Sequence, residues 1–173
     1  VVRPGERLLP VVRALPGEPD ETYTLDDYRQ RYALYKSDPD LQAAQAAAPF
    51  IMSYDDHEVE NNWAGDISEE NIPPELFLLR RAAAFQAWYE HMPVRRTLLP
   101  RGPDLLAYRR FAIGDLLSLN VLDTRLFRSD QPCGDGSKPV PCDGWGSPDQ
   151  TVLGAAQERW LVDGLGQSAA RWQ

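Results

Sequence analysis

Between Ala48 and Trp63 an apolar run rich in strand formers, Phe50-Ile51-Met52-Ser53-Tyr54, gives way at once to Asp55-Asp56-His57-Glu58-Val59-Glu60-Asn61-Asn62. A strand that ends in acids, amides and a histidine is how α/β enzymes present chemistry. The strand fixes the backbone, and the loop at its carboxyl end carries the reacting groups. Adjacent carboxylates repel, so Asp55 and Asp56 make a poor core, but beside a cation that repulsion becomes attraction. A solvated acidic turn has the same composition, and the tetrapeptide by itself fixes no ligand geometry. The segment predicts a strand over Phe50–Tyr54 with a candidate site directly after it.

The surroundings of this segment suit one domain. The chain has 173 residues, of which 43% are hydrophobic, and that is enough for a packed core. Its formal charge of −8 argues against nucleic acid as a stable partner, because phosphate backbones need clustered Lys and Arg. The same charge agrees with multivalent cations. No apolar run approaches the roughly 18 residues of a membrane span, and no signal peptide is visible. The chain opens at Val1 in a segment, Val1–Pro19, expected to be an irregular connection, and it closes behind a helix-like stretch, Gln157–Trp172. Both ends lead to the expectation of an internal piece of a larger protein.

Local signals place the remaining elements. Thr24 begins a helix over Thr24–Lys36 and can cap it, acids fill its first turn, and Leu25, Tyr28, Tyr32 and Tyr35 share one face expected to pack. Asp38 and Pro39 start a second, Ala-rich helix expected to lie close against a neighbour. Asn61–Asn71 reads as a surface excursion. Pro73-Pro74 opens the longest helix, Glu75–His91, whose predicted buried face holds Leu76, Leu79, Ala83, Ala87 and Tyr89-Glu90; His91 is expected to serve the helix C-terminus. Tyr108–Ile113 and Leu116–Leu122 flank Gly114-Asp115 and predict a hairpin, the second strand more buried. A last amphipathic helix is expected over Gln157–Leu165 with Trp160 and Leu161 inward.

Cys133 and Cys142 bracket a loop, residues 131–143, with nothing to pack. A disulfide, and with it an oxidising compartment, is the expected way to hold it. A two-cysteine metal site is the rival, but no further Cys or His lies nearby in the sequence to complete it.

Two strand ends carry the chemistry: Asp55, Asp56, His57, Glu58, Asn61 and Asn62 at the first, Asp123 and Arg125 at the second. Carboxylate and amide oxygens suit hard cations, and histidine suits iron or zinc. His57 can protonate a leaving oxygen or donate to a charged transition state. Arg125 can clamp a phosphate, or pair with Asp123 or Asp130. There is no G-x-S-x-G motif for serine hydrolysis.

The run Tyr54-Asp55-Asp56-His57-Glu58-Val59-Glu60-Asn61-Asn62-Trp63 resembles the signature of the PhoD-type alkaline phosphatase/phosphodiesterase family. So do Tyr28–Tyr35, Asp38–Gln42, Gln86–Pro93, Leu119–Arg125 and Gly154–Leu161, in the same order. The resemblance implies a metallophosphatase fold, an α/β sandwich of two mixed sheets with helices outside, present here as its central portion. It also implies a metal-dependent phosphomonoesterase or phosphodiesterase using iron with calcium, exported by a Tat-type route and secreted, periplasmic or at the cell surface. The parent is expected to be monomeric. By resemblance Asp56 stands at a metal ligand and His57 at the catalytic histidine, and Asp55, Asn61 and Asn62 belong to the same motif; Asp55 is expected as a further metal ligand, and Asn61, Asn62 and, from its own chemistry, Arg125 as substrate contacts. A metal-bound hydroxide would attack phosphorus while His57 assists the leaving oxygen. The family's other metal-binding blocks would lie outside Val1–Gln173, so the piece alone is expected to be inactive. A calcium-binding structural module and a scaffold that has lost its chemistry are the alternatives.

Overall fold

The computed structural model of the chain describes residues 21–134 and 139–173. The expected irregular connection Val1–Pro19 lies outside the described residues. Helix α1 spans Leu25–Lys36, α2 Pro39–Ala47, α3 Pro74–His91 and α4 Gly154–Gln167; strands β1, Arg109–Ile113, and β2, Leu117–Val121, pair antiparallel, with Phe111 opposite Leu119. Among the described residues this hairpin is the only sheet, and no helix is long and apolar enough to cross a membrane.

Helix α1 begins as its sequence dictates. The Thr24 hydroxyl accepts from the Asp27 amide while the Asp27 carboxylate accepts from the Thr24 amide, so two otherwise unpaired donors are satisfied. Tyr28 is buried and Tyr32 packs on the core, but Tyr35 in the last turn is 62% exposed, so the tyrosine face buries only two of its three rings. Arg29 grips Glu90 of α3 with two hydrogen bonds of 2.7 Å. These bonds hold the Glu90 carboxyl down to about 2, from an ordinary 4.5. A depressed folded value contributes stability above the unfolded value and loses it as pH falls toward the folded one. The Tm gap between the parent protein and its Glu90→Gln variant should therefore be largest above pH 4.5 and close as pH falls toward about 2. A gap constant over that window would remove the ion pair from the stability of the α1–α3 contact.

The Asp38 carboxylate caps α2 by accepting from the amides of Asp40 and Leu41, and Pro39 sits in its first turn. No residue of α2 is buried, which corrects the expected close packing. Caps and the helix propensity of alanine hold it instead.

Helix α3 is the scaffold. Its buried face is Phe77, Arg80, Arg81, Ala84, Phe85, Ala87 and Trp88, rotated from the predicted one; Leu76 and Leu79 are 55% and 69% exposed. The rotation follows from the two arginines, which are drawn inward by carboxylates and carbonyls. His91 Nδ1 lies 2.8 Å from the Ala87 carbonyl and its ring stacks on Tyr32, as expected for a helix terminus.

The supposed surface excursion is also corrected. Trp63 is fully buried and Ala64 and Ser68 nearly so, because Ala64 and Ile67 bridge in a tight turn that tucks the indole against Phe77 and Phe85. The predicted strand Phe50–Tyr54 does not form. Its backbone is met by side chains rather than by a ladder: Arg109 donates to the Met52 carbonyl, and the Ser53 hydroxyl to that of Leu122 at 3.5 Å. The hairpin itself is as predicted, with Gly114 in the left-handed region that its turn requires. Helix α4 starts earlier than expected and stops at Gln167; Trp160 and Leu161 are half-buried, whereas Gln157 and Gly164 are buried. At Gly164 an added Cβ would lie 1.7 Å from the Arg110 guanidinium, so the absent side chain lets that arginine cross α4 and reach Asn120 at 2.6 Å. Cys133 and Cys142 are disulfide-bonded, with Cα atoms 5.5 Å apart.

Candidate active-site loop

Residues 55–62 form a compact turn, not a free acidic loop. The Asp56 carbonyl accepts from the amides of Val59 and Glu60, at 2.8 and 2.9 Å, and from Trp63 Nε1 at 3.1 Å. Asp56 Oδ2 accepts from the Asn62 amide at 3.0 Å, and Asn62 adopts the left-handed conformation, φ 53°, that lets the chain close this ring. The Asp55 amide donates to Glu58 at 2.7 Å. The turn is thus fixed by its own backbone and by a buried indole.

The second strand end meets it directly. Arg125 Nε donates to Asp55 Oδ1 at 2.6 Å, and its Nη2 lies 3.4 Å from Asp56 Oδ2. The sequence pointed to Asp123 or Asp130 as ion-pair partners because they are near in the chain; the partners lie about seventy residues back. Burial would raise the Asp56 carboxyl, but the Asn62 amide and the Arg125 charge outweigh it and hold Asp56 below its ordinary value. Asp123 is buried instead beneath the site. It accepts from the Tyr54 hydroxyl with one oxygen and from the Arg125 and Leu126 amides, at 3.0 and 2.9 Å, with the other. Burial and the Asp123 charge push the Tyr54 phenol far up, so it stays a proton donor to that carboxylate.

His57 stands apart from this network. Its side chain is 77% exposed, with Nε2 3.8 Å from Asp56 Oδ2, and it borders a groove of about 250 Å³ lined also by Tyr28, Arg31, Tyr32, Tyr35 and Glu58. Asn61 and Asn62 both donate their side-chain amides to Glu69, Asn62 at 3.2 Å. A larger groove, about 540 Å³, lies between α3 and residues 99–102 and holds none of the candidate residues, so its size does not make it the site.

Residues 9–173 match the family of PhoD-like phosphatases. The chain belongs to that family. It is 55% identical over 152 residues to alkaline phosphatase D of Bacillus subtilis (strain 168), which covers 88% of this chain and 26% of that protein. It also matches a solved structure of PhoD with a TM-score of 0.84 at 55% identity, over 88% of this chain and 29% of that one. The chain thus spans about a quarter of the length of the curated relative it matches.

Asp55 and Asp56 both face Arg125, and among the described residues no three His, Cys, Asp or Glu side chains converge to hold an ion. What the turn does offer is a fixed backbone that projects one exposed imidazole beside a groove. Asp123, read from the sequence as a polar group at the second strand end, opens Asp-Thr-Arg two residues after β2, a pattern that signals an Asx turn. One contributor escaped the sequence reading. Gln157, whose side chain accepts from the Asp123 amide at 2.8 Å and donates to its carbonyl at 2.7 Å, carried no signal.

Proposed function

We propose that the parent protein hydrolyses phosphate esters, with His57 delivering a proton or hydrogen bond to the leaving oxygen. The observation that carries this reading is the 55% identity to alkaline phosphatase D over 88% of the chain, joined to a turn that presents His57 to solvent. A phosphorus–oxygen bond breaks with charge growing on the departing oxygen, and an imidazole within hydrogen-bond reach relieves that charge. The groove beside His57 is where the alcohol portion of the ester would lie.

Iron and calcium belong to the proposal for the parent, with Asp55 and Asp56 contributing to ion binding only alongside ligands from outside the described residues. Substrate contacts at Asn61 and Asn62 belong to it as well. So does a metallophosphatase sandwich completed by the rest of the parent. Action on diesters and export to the periplasm or beyond are part of the same proposal, and the Cys133–Cys142 disulfide agrees with an oxidising compartment.

The test is turnover of a chromogenic phosphomonoester and phosphodiester by the parent and by the 173-residue chain. The parent should turn over at least one of them, and the chain alone should show little or no turnover. Full turnover by the chain would place every essential group within it and overturn the incomplete-site reading. A parent inert toward both esters, with metal present, would favour the structural-module alternative.

A further inference from the structure

A set of contacts ties the end of β2 to the turn carrying His57. Three segments distant in sequence meet there. Tyr54 donates to Asp123. Asp123 closes a turn by accepting from the Arg125 and Leu126 amides. Gln157 of α4 clamps both the amide and the carbonyl of Asp123. That turn aims the Arg125 side chain back at Asp55 and Asp56, and the Arg125 carbonyl accepts from the Gly65 amide at 3.0 Å. Asp123, Arg125 and Gln157 are 1%, 9% and 1% exposed, so none of them offers a face for substrate from the described surface. Arg125 Nη1 is itself buried and has no hydrogen-bond partner among the described residues.

We propose that Arg125, set by Asp123 and Gln157, is a positioning residue: it holds the Asp55–Asp56 pair and thereby the turn that projects His57, and it does not bind phosphate. The inference rests on the phosphatase reading for its kinetic consequence only. Two neighbouring carboxylates would otherwise splay apart by repulsion, and one planar guanidinium reaching both removes that freedom. A planar fork does this where a point charge on a flexible stem does not. The structure also separates two roles that share one residue type. A phosphate clamp presents its nitrogens to the ligand, whereas Arg125 turns Nε and Nη2 to protein carboxylates.

The experiment compares Arg125→Met and Arg125→Lys in the parent. Misplacement of a reacting group by about 1 Å can cost about 10²-fold, so Arg125→Met should lower kcat by about that factor. Arg125→Lys, which keeps the charge without the fork, should fall in between, by about tenfold. The inhibition constant of inorganic phosphate should stay within about threefold of the parent's in both, because no direct ligand contact is lost. A rise of about tenfold or more in that constant, whatever happens to kcat, would assign Arg125 to phosphate binding and overturn the proposal. An unchanged kcat in Arg125→Met would overturn it as well.

Amide hydrogen exchange gives a readout independent of turnover. The Val59, Glu60 and Asn62 amides should exchange faster by about tenfold or more in Arg125→Met while those of α3 stay protected. Equal exchange in the turn would end the positioning role. If α3 also loses protection, the variant has unfolded and Arg125→Lys decides by the same measure. A parent that hydrolyses no phosphoester would sink the phosphatase reading alone, since exchange in residues 55–62 still judges the clasp.

Discussion

Arg80→Met should lower the folding stability of the parent's domain by about 3–5 kcal/mol, the usual result of stripping one partner from a buried ion pair. Arg80 lies inside α3 with a side chain 3% exposed, and Glu60 opposite it is 1% exposed. Nη1 bonds Glu60 Oε2 at 2.8 Å, Nη2 bonds Glu21 at 2.7 Å, and Nε donates to the Thr22 carbonyl at 2.8 Å and the Tyr28 hydroxyl at 3.2 Å. Glu60 keeps two other donors, the Ser68 hydroxyl at 2.6 Å and the Glu70 amide at 3.1 Å. Those two dipoles do not replace a cation, so the carboxylate left behind is a buried charge without a counter-ion. The double variant Arg80→Met with Glu60→Leu removes both charges and should recover most of the loss, as apolar replacements of buried pairs do. Denaturant midpoints of the parent, both single variants and the double variant measure this directly. If Arg80→Met costs less than about 1 kcal/mol, water reaches the pair and the burial argument fails.

The same pair shows why caps and turns are legible in the sequence while burial is less so. Capping residues act within a few positions, so Thr24, Asp27, Asp38 and Pro39 announced their helices without help from the rest of the chain. Gly114-Asp115 likewise announced the hairpin. Burial is decided by partners far away. A hydrophobic pattern assigned Leu76 and Leu79 to the core, yet Arg80 and Arg81 took those places because Glu60, the Gly65 carbonyl and the Pro103 carbonyl wait for them. The strand expected over Phe50–Tyr54 had the right composition but found side-chain donors at Met52 and Ser53 instead of a neighbouring backbone. In the acidic segment, composition marked the place. What it left open was that Arg125, seventy residues on, would meet Asp55 and Asp56.

His57→Ala should lower kcat of the parent by about 10²–10⁴ for phosphoester hydrolysis, the range for loss of a positioned general acid. The structure makes this a clean comparison. The imidazole is 77% exposed, with Nε2 3.8 Å from Asp56 Oδ2. Truncating so exposed a side chain leaves little cavity among the described residues, so folding stability should change by no more than about 0.5 kcal/mol. The turn beneath it survives the substitution. Its hydrogen bonds run from the amides of Val59, Glu60 and Asn62 and the Trp63 indole to Asp56, and none uses the His57 side chain. A fall in kcat therefore reports chemistry and not unfolding, provided thermal melts of the two proteins coincide. Substrates separate the role further. If His57 relieves charge on the leaving oxygen, an ester of an acidic phenol, which leaves readily without a proton, should suffer less than an ester of a simple alcohol. Equal losses for both leaving groups would move His57 away from the leaving oxygen, and an unchanged kcat would remove it from the mechanism.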